Sequence, residues 1–190
     1  MKHDPQRDLA LYLDTLYGKA EGYVHTGFGI RPYRNSEGCY KHGRWSERQN
    51  RWPVERGTIL GNLLDSSEHS DVYICPYLLS GRDRHKGTAV VRLMVHADID
   101  GDLDPAEVER LGGIAISSGS EGHGHVYLAL AEAADPHQHE ALCAALGAHL
   151  GYADAKISDN DLLRPPGTLN HKARVDGGSR PTPVEWAVRP

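Results

Sequence analysis

Cysteine is scarce in this 190-residue chain: Cys39, Cys75 and Cys143 are odd in number and far apart. A disulfide framework is therefore not expected, and a reducing, cytoplasmic setting fits. Phenylalanine occurs once and methionine twice, and apolar runs last only a few residues, well short of the ~20 residues that a membrane span needs. Lys2, His3, Asp4, Arg7 and Asp8 fill the place of a signal peptide's apolar core, so no secretory leader is expected. Positive charge is in deficit, with 21 Lys+Arg against 26 Asp+Glu and a formal net charge of -5. That balance argues against coating nucleic acid through bulk charge and leaves a local basic groove open. No Gly-x-x-x-x-Gly-Lys-Ser/Thr loop occurs, so no P-loop motor is expected in this chain. The one Cys-x-x-His half-pair, Cys39 and His42, has no second half, and zinc is not expected.

What is present suits one packed core: 39% hydrophobic and 25% charged residues in a chain of domain length. Asp4-Pro5 followed by Leu9, Tyr12, Leu13 and Leu16 predicts a helix over 4–17, stopped by Gly18. Further helices are expected over 58–68, 105–112 and 136–149, and strands over 23–28, 72–79, 88–99, 114–117, 125–131 and 184–188. The run Val90, Val91, Leu93, Met94, Val95 and Ile99 reads as a buried central strand. From 29 to 57 periodicity fails and a long loop is expected. It carries seven basic residues against three acidic ones, a net of +4, with Tyr33, Tyr40, Trp45 and Trp52 among them. Cations that follow phosphates beside rings that stack on bases would suit single-stranded nucleic acid; buried aromatics anchoring a loop would look the same. The alternation of elements gives an α+β or α/β class.

Three segments carry candidate chemistry. In His96-Ala97-Asp98-Ile99-Asp100-Gly101, a strand would turn Asp98 and Asp100 to one face. Two close carboxylates repel unless a cation lies between them, and hard oxygen donors select Mg²⁺ or Mn²⁺. An EF-hand loop is excluded because Leu103 stands where it needs Gly. In Ser117–Tyr127, the small residues around Ser118 and Gly119 lead to His123 and His125, a turn able to bring N–H groups and an imidazole to an anion. In the third, Asp154-Ala155-Lys156-Ile157-Ser158 precedes Leu163-Arg164-Pro165-Pro166-Gly167-Thr168-Leu169-Asn170-His171-Lys172, where Arg164 and Lys172 could grip phosphates. Arg82, Arg84 and Lys86 form a further basic turn.

In this order the three segments resemble the archaeo-eukaryotic primase superfamily, and most of all the bifunctional primase/polymerase domains of phage and plasmid replication proteins. The resemblance covers roughly residues 70 to 175. It implies an αβ N-terminal unit (about 1–87) packed on an RRM-like catalytic unit (88–190), one catalytic domain with the active cleft between its units. It implies catalytic, metal-binding roles for Asp98, Asp100 and Asp154, with Asp159 and Asp161 as competing choices for the third carboxylate, and two ions, Mg²⁺ or Mn²⁺. Ser118, Gly119, His123, His125, Arg164, Lys172, Arg84 and Lys86 are the implied nucleotide-binding set. The family has a small hydroxyl residue two places before its histidine, where this chain has His123, so His123 and His125 share that assignment. The implied activity is template-directed nucleotidyl transfer from an NTP or dNTP on single-stranded DNA, as the N-terminal part of a longer replication protein with a helicase domain. Two rivals stand beside it: a non-catalytic primase-like module that binds single strands or nucleotides, and a rolling-circle endonuclease built on His123-Gly124-His125. The second lacks the apolar residue between its histidines and a tyrosine on the 136–149 helix.

Overall fold

A computed structural model describes residues 4–151 and 156–190. The chain runs α1 (Pro5–Tyr17), β1 (Gly22–Arg34), β2 (Tyr40–Trp52), α2 (Arg56–Ser67), β3 (Ser70–Ile74), β4 (Met94–Asp100), α3 (Pro105–Arg110), β5 (Ile114–Ser117), β6 (His123–Ala129), α4 (Pro136–His149), β7 (Leu169–Asn170), α5 (Lys172–Val175), β8 (Thr182–Pro183) and β9 (Glu185–Val188). Two antiparallel sheets organise it, one ordered β2-β1-β3 and one ordered β4-β6-β5-β9, with β7 and β8 as a small ribbon. The second sheet with α3 and α4 holds the βαββα order of an RRM-like unit, and β9 adds at the β5 edge.

Helix α1 begins where Asp4 accepts the Arg7 N–H at 3.1 Å and Pro5 takes the first helical position. Its apolar stripe, Leu9 and Leu13, packs with Ile59 and Leu63 of α2 on Val24, Phe28, Val72 and Ile74 of the first sheet. Each of the fully buried leucines contributes on the order of 1.5–3 kcal/mol. Tyr12 reaches the second sheet, with its hydroxyl 2.9 Å from that of Tyr127 and its ring edge-on to Trp186. The core is thus continuous between the sheets. On the second sheet's other face Val95, Ala97, Ile99, Ala115 and Val126 pack against Val108 of α3 and Cys143 and Leu146 of α4.

Two sequence expectations are corrected. The stretch 29–57 is not a long loop: it completes β1 and forms β2, paired from Gly22↔Trp52 to Arg34↔Tyr40. The turn between them is closed by Asn35, whose side chain accepts the N–H groups of Glu37 and Cys39. Pro32 is tolerated because β3 pairs with β1 only as far as Ile30. Nor is 88–99 a central strand. Strand β4 starts at Met94 and lies at a sheet edge, while Val90 and Leu93 are exposed. Among the described residues, no helix is long and apolar enough to cross a membrane.

Candidate active site

The pleat of β4 and its pairing with β6 build the site. Asp98 lies opposite His125 and Asp100 opposite His123, so the two carboxylates and two imidazoles share the sheet face that looks toward the first sheet. Across from them, Tyr73 of β3 and Tyr40 of β2 close a cavity of about 200 Å³, also lined by Ser118, Ser120, Lys156, Arg164 and Lys172.

Asp98 is buried, and its Oδ1 lies 2.8 Å from His125 Nδ1 while its Oδ2 pairs with the Lys156 ammonium. Burial pushes this carboxyl upward, but His125 and then Lys156 outweigh it and hold the group well below the usual carboxylate range. His125 is itself pushed down by burial, against the pull of Asp98. Its Nε2 accepts the Arg164 backbone N–H at 3.2 Å, which a protonated ring could not do. An accepting Nε2 leaves Nδ1 as the ring's protonated nitrogen, 2.8 Å from Asp98 Oδ1 but off hydrogen-bond geometry. His125 is buried, whereas His123 is part-exposed, with Nδ1 2.8 Å from an exposed Asp100.

The turn before β6 is held close to the C-terminal segment. Asn170 donates to the Ser118 carbonyl at 2.8 Å and lies 3.3 Å from the Ser120 hydroxyl. Gly119 has φ +79°, and a Cβ there would lie 3.0 Å from Asn170 Cβ and the Pro183 carbonyl, so this position takes glycine.

Arg164 is fixed from three sides. It donates to the Tyr73 hydroxyl at 2.7 Å, its guanidinium carbon stands 4.7 Å from the centre of the Tyr73 ring, and Asp71 lies 3.5 Å away. Asp71 is fully buried and accepts from Tyr40 at 2.5 Å and from the His171 N–H at 2.9 Å, with His42 Nε2 at 2.8 Å. Burial opposes its charge, yet His42, Arg164, Tyr40 and the His171 amide bring it down to about 2. Gly27 and Gly29 leave room for this wall. A Cβ at Gly27 would strike Trp45, and one at Gly29 would strike the His42 ring.

The structure therefore gathers Asp98, Asp100, Ser118, His123, His125, Arg164 and Lys172 around one cavity, with Gly119 shaping the adjoining turn. Asp154 lies outside the described residues. Asp159 is committed elsewhere, to Arg92 and the Gly87 and Ala89 amides, and Asp161 accepts the Ser158 N–H. Arg84 and Lys86 do not line the cavity. Arg84 pairs with Glu47 and donates to the Asn160 carbonyl, and Lys86 pairs with Glu140. Sequence reasoning missed Asp71, Tyr73 and the part played by Lys156. A period-2 reading of Ser70-Asp71-Val72-Tyr73-Ile74 sets Asp71 and Tyr73 on one face, and that was the available signal. Cys39 is exposed, and His42 faces Asp71.

Asp98 and Asp100 suit a hard divalent cation. Both project from one strand face into a cavity with a cationic far wall, and Asp98 already holds the positive charge of Lys156.

No protein-family model matches the sequence, and no curated protein matches it. Three solved structures are similar. The crystal structure of primase RepB' aligns over 98% of this chain and 57% of its own length, at 14% identity and a TM-score of 0.62. The catalytic domain of primase RepB' in complex with initiator DNA aligns over 98% and 86%, at 14% identity and 0.59. The AEP domain of the cyanophage S-2L primase-polymerase (PrimPol) aligns over 94% and 88%, at 15% identity and 0.57. This chain thus spans just over half the length of the first of these. The chain has the archaeo-eukaryotic primase/prim-pol fold.

Proposed function

We propose that this protein is a DNA-directed primase/polymerase, a template-directed nucleotidyltransferase that makes and extends primers on single-stranded DNA during phage or plasmid replication. The observation that carries this reading is the pairing of Asp98 and Asp100 with His125 and His123 in one cavity, faced by Arg164 and Lys172, on a prim-pol fold. A primer hydroxyl attacks the α-phosphorus of an incoming NTP or dNTP, and pyrophosphate leaves. Two bound ions, Mg²⁺ or Mn²⁺, held by Asp98, Asp100 and Asp154, would activate the hydroxyl and neutralise the leaving oxygens. The chain's own contribution is alignment and charge. Arg164, braced by Tyr73 and Asp71, presents a fixed guanidinium to the triphosphate. Lys172 and His123 complete the phosphate-facing wall, and buried His125 lies against Asp98. In a longer replication protein of the host cytoplasm, a helicase domain would supply the single strand.

Labelled nucleotide incorporation on a single-stranded template with Mg²⁺ or Mn²⁺ tests the proposal. The wild type should extend primers, and Asp98→Asn or Asp100→Asn should reduce the rate at least ~100-fold, the scale of losing one charge-stabilising group, with circular dichroism unchanged. Template binding without incorporation by the wild type would instead support the binding-module reading. Wild-type rates from either variant would sink the assignment of these aspartates.

A further inference from the structure

Behind the cavity lies a second cluster that the proposed reaction does not use. His96 of β4 and His139 and Cys143 of α4 are each at most 1% exposed. His139 and Cys143 stand one helical turn apart on the same face. Because β4 is an edge strand, that face meets the flank of His96, whose backbone N–H donates to Cys143 Sγ at 3.4 Å. The donor atoms His96 Nδ1, His139 Nε2 and Cys143 Sγ all lie within 4.8 Å of one another.

We infer that His96, His139 and Cys143 form a buried structural site for a borderline-soft divalent cation, Zn²⁺, separate from the carboxylates of the cavity. The spacing fits the ion. Zinc bonds of about 2.3 Å to sulfur and about 2.0–2.1 Å to imidazole nitrogen give a sulfur–nitrogen edge of roughly 3.5 Å in a tetrahedron. Cys143 Sγ lies 3.5 Å from His139 Nε2 and 3.8 Å from His96 Nδ1. The tautomer of His96 fits as well. Its far nitrogen, Nε2, faces Asp161 at 3.4 Å, and a carboxylate there places the ring proton on Nε2 and leaves Nδ1 bare. The Tyr77 hydroxyl lies 2.9 Å from His96 Nδ1 and 2.7 Å from His139 Nε2, hydrogen-bonding distances in the metal-free cluster, and is placed to turn onto the fourth vertex. Its proton can turn to the Met94 carbonyl at 3.3 Å, which frees the oxygen lone pairs. Binding exchanges the Cys143 thiol proton, released to water, for a sulfur–zinc bond, with no change of oxidation state. The donor set of two imidazoles and a thiolate selects against Mg²⁺ and Mn²⁺. Such an ion would clamp α4 to β4 two residues before Asp98.

The test uses the whole chain carrying Asp98→Asn and Asp100→Asn, so that the cavity carboxylates do not contribute. After chelation, loading with zinc sulfate and gel filtration, one equivalent of zinc should remain by mass spectrometry. Loaded with Co²⁺ instead, the protein should show thiolate-to-cobalt charge-transfer absorption and the intense visible bands of tetrahedral cobalt. Cys143→Ser should abolish the charge-transfer band and weaken zinc binding at least ~10-fold, as loss of even an outer partner does, while Cys39→Ser leaves both unchanged. If Cys143→Ser fails to fold, the cobalt spectrum of the parent decides alone. Absence of retained zinc, a six-coordinate cobalt spectrum, or unaltered binding by a folded Cys143→Ser overturns the inference.

Discussion

Asp71 offers a quantitative test of how the cavity wall is held together. Its carboxylate is fully buried and meets Tyr40, His42, Arg164 and the His171 amide, with Tyr73 beyond Arg164. Its carboxyl sits at about 2 against 3.8 for a free side chain. Each tenfold change in ionisation is worth about 1.4 kcal/mol, so the ionised form adds roughly 2–3 kcal/mol to folding. Asp71→Asn keeps the shape, removes the charge, and leaves the Arg164 guanidinium without its counter-charge in a mostly buried place. At pH 7 the variant should lose about 2–3 kcal/mol in urea unfolding followed by tryptophan fluorescence. For a chain of this size that is a melting-temperature drop of about 5–10 °C. The pH dependence has a definite sign. Because the folded pKa is depressed, the contribution is complete above the unfolded value of about 4 and disappears as pH falls toward about 2. The gap between wild type and variant should therefore be flat above about pH 5 and close below pH 4. Equal stability at pH 7, or a gap that stays constant to pH 3, would refute the reasoning.

Two further outcomes follow from other charges. Asp159 is 2% exposed and receives Arg92 through two nitrogens, at 2.9 and 2.5 Å, besides the Gly87 and Ala89 amides. Arg92→Ala strands that carboxylate with its two backbone donors, and urea unfolding should show a loss of about 3 kcal/mol; less than about 1 kcal/mol would mean that the amides suffice. On the edge strand β2, Lys41, Arg44 and Arg51 are exposed. If they follow a single strand's phosphates, replacing all three with alanine should make the slope of log affinity against log salt shallower by about 2 while melting temperature stays unchanged. An unaltered slope would remove β2 from the binding surface.

Three helices were legible from their own punctuation: Asp4-Pro5, Asp104-Pro105 and Asp135-Pro136 all supply a capping carboxylate and a proline at the first position, whereas uncapped α2 was legible only from Ile59, Leu60, Leu63 and Leu64. Asp98 and Asp100 were legible because their spacing alone sets them on one face of any strand. The failure at 29–57 has a physical cause. Strand β2 is an edge strand with one face toward a polar cleft, so Lys41, Arg44, Gln49 and Arg51 never produce apolar alternation. Its partner β1 carries Gly27 and Gly29 where a core strand would carry side chains, since Trp45 and His42 fill that space from the neighbouring strand. A glycine in a strand normally signals weakness or a bulge; here it signals an aromatic ring laid across the sheet, a relation that exists only once register is known. The same holds for Asp71. Nothing local distinguishes it from a solvated acid at the head of a strand, and its role comes from Arg164, His171 and Tyr40, which are distant in sequence. The run 88–99 misled in the opposite direction. Val90 and Leu93 are apolar yet exposed, and Arg92 among them is buried because Asp159 meets it. Hydrophobic patterning recorded where side chains could pack, whereas the site is made by polar groups that find their partners only across the two sheets.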